Sequence, residues 1–342
     1  MRRCLELAAL GLGTTDPNPL VGSVIVYGDK IIGEGWHRKA GEAHAEVNAI
    51  NSVKDKSLLK QATIYVSLEP CSHFGKTPPC ADLIIRSQIP KVVIGCTDPN
   101  PNVGGQGIAR LKNAGIEVVQ NVLMKECLWI NRRFFTSITE KRPYIILKWA
   151  QTADGFLAPK TKDEQQPVWI TNKASRQLVH KWRSEESGIL IGVQTALSDD
   201  PALTTRSFPG KSPVRIVLDP NSRLTKDLKV LDGSVPTLIV GGGSSPANDE
   251  NTRYLNTNNG ITSIEELLKL LHKEKLQSVI IEGGANTLNR FITSGLWDEA
   301  RVFTGASEFT EGLPAPSIEM EAQESKMIEN DRLDMYYNSA SL

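Results

Sequence analysis

A histidine, a glutamate and two cysteines in the first quarter of the chain have the types and spacing of a hydrolytic metal site. His44 and Glu46 are separated by one residue, Cys71 follows a proline, and Cys80 comes nine positions later. Zinc accepts one imidazole nitrogen and two thiolates in tetrahedral geometry, which leaves a fourth position for water. A neighbouring carboxylate can move a proton from that water to a leaving amine. The pattern predicts a zinc-dependent deaminase with His44, Cys71 and Cys80 as ligands and Glu46 as the acid–base residue.

Two other interpretations of these residues stay open at this point. Taken singly, each of them would more often be an ordinary surface or core residue. A zinc-stabilised binding module without catalysis is the second, but a structural site usually has a fourth protein ligand and has no need of Glu46. The eight residues between Cys71 and Cys80 also depart from the short P-C-x-x-C spacing. Five cysteines argue against a disulfide scaffold, so Cys4, Cys96 and Cys127 are predicted to be core residues.

Length and charge narrow the class of protein. A chain of 342 residues is about twice the usual domain length, so two domains are predicted. The 39 Lys+Arg and 39 Asp+Glu residues cancel, which favours a small-molecule substrate over nucleic acid or a membrane surface. The apolar runs are strand-sized and the N-terminus lacks the long apolar run of a signal peptide. We therefore expect a cytoplasmic enzyme that binds no membrane.

Short β-branched runs alternate with amphipathic segments in both halves, which predicts α/β folds. Helices are predicted over 4–12, 44–51, 80–87, 108–114, 173–184, 263–272 and 287–294, and strands over 22–26, 30–35, 62–67, 91–95, 116–120, 144–149, 188–192, 213–218, 237–240 and 278–282. A pause at Lys141-Arg142-Pro143 predicts domains 1–142 and 143–342. Residues 241–260, rich in Gly, Ser and Asn, are predicted to be a flexible surface loop. The charged stretch 319–334 is expected to be a solvated helix or strand edge.

Four segments of the first half, 15–22 (TDPNPLVG), 35–37 (GWH), 40–46 (AGEAHAE) and 69–80 (EPCSHFGKTPPC), resemble the bifunctional riboflavin-biosynthesis deaminase/reductase family. The resemblance extends nearly from end to end. It implies an N-terminal cytidine-deaminase-like three-layer αβα domain followed by a dihydrofolate-reductase-like α/β domain. It also implies that 2,5-diamino-6-ribosylamino-4(3H)-pyrimidinone 5′-phosphate loses an amino group, and that NADPH then reduces its ribosyl group.

The resemblance also assigns substrate contacts in the deaminase domain. The long loop between the cysteines carries substrate-binding groups in this family, so His73 and Lys76 would face the substrate. A lysine suits a phosphate as a point charge. Asn18 would hydrogen-bond the ring, and Asp98 would complete the pocket. A plain turn is the alternative for the segment Asp98-Pro99-Asn100-Pro101.

In the second half, segments 147–155, 169–171, 192–197 and 199–206 resemble the reductase of the same family. From its residues alone, the junction Glu282-Gly283-Gly284 could bind a phosphate at a helix start or be a structural turn. By resemblance, NADPH would be contacted by Ala150, Trp169, Thr195, Asp199, Ser222 and Gly284. The substrate would be held by Pro167, Arg183, Leu203, Arg206 and Glu282. The arginines suit its phosphate because guanidinium makes bidentate contacts.

Pro167 departs from the family pattern, in which a serine at this position touches the substrate. A proline cannot donate that hydrogen bond, so the contact is lost or replaced. This departure supports the alternative of a deaminase whose C-terminal domain only acts as a scaffold, although the retained Trp169 and Glu282 argue for reduction. Lys148 is either a polar group of the reductase site or a solvent-exposed lysine on an edge strand. We further expect a homo-oligomer acting on a small phosphorylated pyrimidine.

Overall fold

The computed structural model describes residues 1–73, 78–100, 103–161, 165–241, 250–256 and 263–338. The chain divides into two compact units, Met1–Lys141 and Arg142–Leu342. Within the described ranges, no helix has the length and apolar character needed to cross a membrane. Lys76, predicted to bind substrate, lies outside the described residues.

The N-terminal unit is built on a five-stranded sheet with the order β2-β1-β3-β4-β5. Its strands are β1 Gly22–Tyr27, β2 Lys30–Trp36, β3 Thr63–Leu68, β4 Lys91–Cys96 and β5 Glu117–Val119. Its helices are α1 Arg2–Ala9, α2 Ala45–Ser52, α3 Cys80–Arg86, α4 Gln106–Asn113, α5 Met124–Ile130 and α6 Arg132–Thr139. Strand β1 is antiparallel to its neighbours β2 and β3, whereas β3, β4 and β5 are parallel to one another.

Glycines allow α2 to lie directly against β2. A Cβ atom on Gly35 would come within 2.3 Å of the backbone nitrogen of Ala49, and one on Gly33 within 2.6 Å of the Ala49 carbonyl oxygen. Such distances are too short for any side chain, so these two positions require glycine. The N-terminal end of α2 is thereby held at a fixed place over the sheet.

The C-terminal unit contains a nine-stranded sheet with the order β11-β10-β9-β8-β12-β6-β13-β16-β15 and a two-stranded sheet of β7 and β14. The strands are β6 Tyr144–Gln151, β7 Phe156–Pro159, β8 Gly188–Gly192, β9 Val214–Leu218, β10 Thr237–Gly241, β11 Thr252–Asn256, β12 Ser278–Ile281, β13 Glu299–Thr304, β14 Gly312–Pro314, β15 Glu324–Ile328 and β16 Asp331–Tyr337. The helices are α7 Lys173–Glu185, α8 Val193–Asp199, α9 Ile264–Lys273 and α10 Ala285–Ser294.

All strand pairs from β11 to β13 are parallel, so their carboxyl ends lie along one edge of the sheet. Ligands of open α/β sheets bind at this edge. Beyond β13 the pairing is antiparallel, and β15, within the charged stretch 319–334, forms the outer edge.

Two expectations for this unit are wrong. Residues 252–256 do not belong to a flexible loop, because they form β11 and pair in parallel with β10. Asn residues at both ends of this short strand favour a loop in the sequence pattern, which is why the strand was not predicted. The rest of the predicted loop, residues 242–249 and 257–260, lies outside the described ranges. The idea that Lys148 is an edge-strand lysine is also wrong, since β6 lies between β12 and β13.

Candidate active sites

The three predicted zinc ligands meet where α2 and α3 begin. His44 is the N-cap of α2, Cys80 is the first residue of α3, and Cys71 lies in the segment after β3. The Nδ1 atom of His44 is 3.6 Å from the Sγ atom of Cys71 and 3.4 Å from that of Cys80. Zinc bonds of about 2.0–2.3 Å in tetrahedral geometry place ligand atoms about 3.6 Å apart, so this donor set fits zinc. In the part of the chain that the structure describes, it is the one such metal-binding group.

Hydrogen bonds at this position stabilise the thiolate form of Cys71. Hydrogen bonds from the Cys80 thiol and from His44, although opposed by burial, lower the pKa of Cys71 to about 4. The backbone N–H of Cys80 also donates to Cys71 Sγ at 3.3 Å, from the positive end of α3. The interaction with Cys71 and burial raise the pKa of the Cys80 thiol. Binding of a zinc ion would deprotonate this second thiol as well.

Glu46 lies in the first turn of α2, two residues after His44, and only 3% of it is exposed. Its carboxylate interacts with the Cys80 thiol. Burial, followed by the charge of Cys71, raises the pKa of Glu46 to about 7, and a bound cation would oppose that shift. A buried carboxylate therefore stands beside the ligand set, as an acid–base group must.

Glu69 anchors one wall of this site, although no role was predicted for it from the sequence. Its carboxylate accepts hydrogen bonds from the backbone N–H groups of Asp98 at 3.2 Å, Gly105 at 2.9 Å and Ile108 at 3.1 Å. These bonds connect the end of β3 to the segment that carries Asp98. Their partners lie 29 to 39 residues away along the chain, so no local pattern could have revealed the role.

Asp98 and His73 are placed by the structure on the same side of the site as Cys71. Burial raises the pKa of Asp98, and the charges of His73 and Cys71 also act on its carboxyl group. His73 is exposed, whereas Asp98 is half-buried. These two predicted substrate contacts of the N-terminal unit are therefore close enough to interact electrostatically.

Asn18 is oriented by His37, a residue of the 35–37 motif for which no role was predicted. Nδ1 of His37 lies 3.1 Å from the Ala43 carbonyl oxygen, so this nitrogen is the donor and Nε2 is the acceptor. The amide nitrogen of Asn18 then donates to Nε2 at 3.1 Å. Burial lowers the pKa of His37, which favours this neutral form. The His37 ring also packs edge-on against His44, 5.4 Å between centroids, so Asn18 belongs to the same site.

Removal of one ligand tests this site directly. In a Cys71→Ser variant we expect less than about one-tenth of a zinc ion per chain, because a hydroxyl is a poor replacement for a thiolate. Zinc content measured by atomic emission on protein purified with added zinc checks this. Cys4→Ala, at a buried cysteine in a separate apolar cluster, is the matched control. Full zinc occupancy in Cys71→Ser would exclude Cys71 as a ligand.

In the C-terminal unit most predicted contacts surround one cleft at the carboxyl edge of the nine-stranded sheet. The cleft has two lobes of about 550 and 460 Å³, which share Lys148, Pro167, Asp199 and Glu282 among other residues. The lobe of 550 Å³ is lined by Trp169, Arg183, Leu203 and Arg206, and the lobe of 460 Å³ by Gly283 and Gly284; Ala150 and Thr195 line both. Ser222 lies outside this cleft, in a shallow depression with Asp219 and Tyr254.

The lobe of 550 Å³ holds more positive than negative charge. Arg183 makes two bonds to Glu282, Nη2 to Oε2 at 2.8 Å and Nε to Oε1 at 3.2 Å, and Lys148 Nζ is 3.7 Å from Oε2. Burial alone would raise the pKa of Glu282, but the charges of Arg183 and Lys148 prevail and hold it at about 2. Arg206 stands at the exposed rim. Of the residues that the structure describes, five cationic side chains and three carboxylates line the lobe in all, and this excess of positive charge favours an anionic ligand.

Leu203 holds the backbone of this lobe in an unusual conformation. It is buried and its φ is 54°, in the left-handed region that leucine rarely adopts. The next carbonyl, that of Thr204, accepts hydrogen bonds from His180 Nδ1 at 2.8 Å and Arg183 Nη1 at 3.2 Å. The strained residue thus places an acceptor between the two side chains.

His180 is expected to titrate well below the ordinary value. Burial, then the charges of Arg183 and Arg206, lower its pKa from 6.5 to about 4. Since the folded-state pKa is below the unfolded-state value, the fold favours neutral His180, and this stabilisation is lost as pH falls from 6.5 towards 4. NMR titration of the ring proton, assigned with a His180→Gln variant and referenced to the urea-unfolded chain, measures the midpoint. A midpoint at or above 6.5 in the folded protein would contradict the burial argument.

The lobe of 460 Å³ has the form of a phosphate cradle. Gly284 is the N-cap of α10, and its N–H donates to the Thr195 hydroxyl at 3.0 Å, which ties α10 to α8. A Cβ atom on Gly283 would come within 2.7 Å of Thr287, so the backbone of this junction has room only for glycine. The start of a ten-residue helix with glycine backbone around it favours an anion.

Trp169 lines the lobe of 550 Å³, and 58% of its surface is exposed. The guanidinium of Arg176 lies over its ring, 4.8 Å from the centroid, and Arg176 also lines this lobe. No role was predicted for Arg176 from the sequence. The Trp169–Arg176 pair therefore forms part of the wall of this lobe, since such stacking is attractive even near solvent.

The fold and the two sites define a zinc-type deaminase unit joined to an α/β unit with a cleft suited to a dinucleotide and an anionic substrate. The profile of the cytidine and deoxycytidylate deaminase zinc-binding region matches residues 1–96, and that of the RibD C-terminal domain matches residues 143–307. The riboflavin biosynthesis protein RibD of Aquifex aeolicus is 43% identical over 92% of this chain and 88% of its own length. The chain belongs to the RibD family of bifunctional deaminase/reductases of riboflavin biosynthesis.

Other relatives agree with this membership. RibD of Escherichia coli is 36% identical over 89% of this chain and 86% of its own length. The crystal structure of a diaminohydroxyphosphoribosylaminopyrimidine deaminase/5-amino-6-(5-phosphoribosylamino)uracil reductase from Thermotoga maritima superposes with a TM-score of 0.90 at 36% identity, covering 99% of this chain and 97% of that one. The predicted fold class and the resemblance are confirmed.

Proposed function

We propose that this chain deaminates 2,5-diamino-6-ribosylamino-4(3H)-pyrimidinone 5′-phosphate in its N-terminal unit and then reduces the ribosyl group with NADPH in its C-terminal unit. The observation that carries the proposal is the presence of two candidate sites in one RibD-family chain. One is the His44, Cys71 and Cys80 triad with buried Glu46. The other is the Arg183–Glu282 pair at the junction of two lobes of one cleft.

In the deamination, Glu46 would move the protons. Zinc, when bound, supplies the Lewis acidity that makes water nucleophilic at neutral pH. Glu46 would take a proton from the attacking water and deliver it to the departing amino group, so that an amino group and water become a carbonyl and ammonia. Asn18, whose amide nitrogen is committed to His37, would use its carbonyl oxygen to accept a hydrogen bond from the substrate. Asp98 and His73 would border the same pocket.

In the reduction, the cleft would hold substrate and cofactor in contact. NADPH, when bound, supplies a hydride. That hydride would go to C1′ of the ribosyl group, the bond between C1′ and the ring oxygen would break, and the ring oxygen would take a proton. Arg183 and Arg206 would hold the substrate phosphate, while Thr195 and Gly284 would border the cofactor phosphates. Pro167 lines both lobes and would contribute shape without a donated hydrogen bond.

The remaining assignments rest on the same proposal. Residues 1–142 would form the deaminase domain and 143–342 the reductase domain. All five cysteines are free thiols, which suits the reducing cytoplasm, and we propose that compartment. We also propose a homo-oligomer, which light scattering of the zinc-loaded protein would measure.

The test uses the zinc-loaded protein and the diaminopyrimidinone ribosyl phosphate, first without and then with NADPH. We expect ammonia release without NADPH, followed by loss of absorbance at about 340 nm when NADPH is added. Ammonia without later NADPH oxidation would support the alternative of a deaminase with a non-catalytic C-terminal domain. Absence of ammonia would overturn the proposed substrate.

A further inference from the structure

The cofactor must extend beyond the cleft along the carboxyl edge of the nine-stranded sheet. This inference rests on the proposed use of NADPH. The largely buried cations Lys148 and Arg183 both pair with Glu282 near β6 and β12. Because Arg183 is proposed to hold the substrate there, the nicotinamide would have to meet the substrate at this end of the cleft. With the phosphates near Gly284, the adenosine has to continue over β8 towards β9 and β10. In the sheet, β6 and β9 are separated by three strand spacings. At about 4.8 Å each, these spacings give roughly 14 Å, a distance that an extended dinucleotide can span.

A rigid turn stands at the end of β9, where the adenosine would arrive. The buried carboxylate of Asp219 accepts hydrogen bonds from the backbone N–H groups of Arg223 and Leu224, both at 2.9 Å. Between them, Ser222 has a φ of 52°, a left-handed value that reverses the chain. Ser222 and Asp219 also line the shallow depression that continues to Tyr254 on β11. The backbone that presents the Arg223 side chain is therefore fixed.

The guanidinium of Arg223 points from this turn to the margin of the cleft. Its Nη2 donates to the side-chain oxygen of Gln194 at 3.0 Å, and Gln194 lines the lobe of 460 Å³ next to Thr195. Among the described residues, no carboxylate pairs with Arg223, in contrast to Arg253, which pairs with Glu274. A fixed, exposed guanidinium without an acidic partner has donors for a phosphate.

We propose that Arg223 binds the 2′-phosphate of NADPH and thereby makes the reductase prefer NADPH to NADH. The 2′-phosphate is the one group that distinguishes the two cofactors, and it is carried on the adenosine ribose. Arg223 stands where that ribose would lie, past the phosphate cradle and beside the depression that contains Ser222. Ser222 would then contact the same part of the cofactor, which accounts for its position outside the main cleft.

The test compares wild type, Arg223→Ala and Arg223→Lys with each cofactor, using the deaminated substrate. In Arg223→Ala we expect kcat/KM for NADPH to fall about ten- to a hundredfold, while kcat/KM for NADH changes less than about twofold. Arg223→Lys should recover part of the loss because it keeps the charge. Arg253→Ala is the matched control, because Arg253 is exposed and lies near the amino end of β11, away from the carboxyl edge of the sheet. Its kcat/KM values for both cofactors should equal those of wild type.

A binding measurement separates this inference from the proposed function. The affinity for 2′,5′-ADP, measured by calorimetry, should fall in Arg223→Ala, whereas the affinity for 5′-AMP should not. Equal losses for NADPH and NADH would place Arg223 at the pyrophosphate and overturn the inference, as would an unchanged affinity for 2′,5′-ADP. If wild type oxidises neither cofactor, the proposed reduction fails, and the 2′,5′-ADP titration still decides the role of Arg223.

Discussion

In a Glu46→Gln variant, ammonia release is expected to fall by about a thousandfold, while zinc content stays at the wild-type level. Gln keeps the shape of the side chain but cannot accept and return a proton. The ligand atoms of His44, Cys71 and Cys80 are untouched, so the metal should remain. The measurement is a steady-state ammonia assay on protein whose zinc content has been determined on the same preparation.

Glu42→Gln is the matched control for this substitution, because Glu42 is exposed and lies four residues earlier in the chain. It should release ammonia at the wild-type rate. NADPH oxidation with the deaminated substrate should be unchanged in both variants. Retention of ammonia release in Glu46→Gln would remove the acid–base role from this residue, whatever the zinc content.

An Arg183→Ala variant is expected to lose reduction and keep deamination. The substitution removes the bidentate partner of Glu282 and one of the cations proposed to hold the substrate phosphate. Loss of a charged hydrogen bond to the substrate costs about 1.5–3 kcal/mol, which corresponds to a fall of about ten- to a hundredfold in kcat/KM for reduction. Parallel assays of ammonia release and NADPH oxidation measure the two activities.

Two further variants help to interpret the result. Arg183→Lys keeps the positive charge but cannot make two parallel hydrogen bonds, so an intermediate activity would indicate that bidentate geometry matters. Arg290→Ala, at an exposed arginine on α10, controls for loss of a surface charge. A parallel loss of ammonia release in Arg183→Ala would show that the two units are not functionally separable.

The zinc triad could be predicted because its chemistry demands particular residue types, and these are visible in the sequence. The sheet positions were predictable for the same kind of reason, since β-branched runs such as Thr63–Leu68 are apolar along most of their length. Close approach of α2 to the sheet follows from Gly33 and Gly35, a fact that only the packed structure reveals.

Buried charged residues are the reason why some features of the structure could not be predicted from the sequence. Strand β13 contains Glu299 and Arg301, which are joined at 2.6 Å and almost fully buried, with Glu186 3.7 Å from Arg301. Charged residues normally indicate exposed positions, so a pattern based on apolar residues passes over such a strand. The role of Glu69 was hidden in the same way, because its partners are backbone groups from distant segments.

The left-handed conformation of Leu203 connects the lobe of 550 Å³ to the hydrophobic core. A non-glycine residue in this conformation costs about 1–3 kcal/mol, and surrounding contacts must hold it there. For Leu203 those contacts come from an apolar cluster that includes Ile191, Ala196 and Leu228. Selection for tight packing in that cluster and selection for the position of the Thr204 carbonyl therefore act on the same residues. A substitution within this cluster is therefore expected to shift the Thr204 carbonyl as well as to lower the stability of the unit.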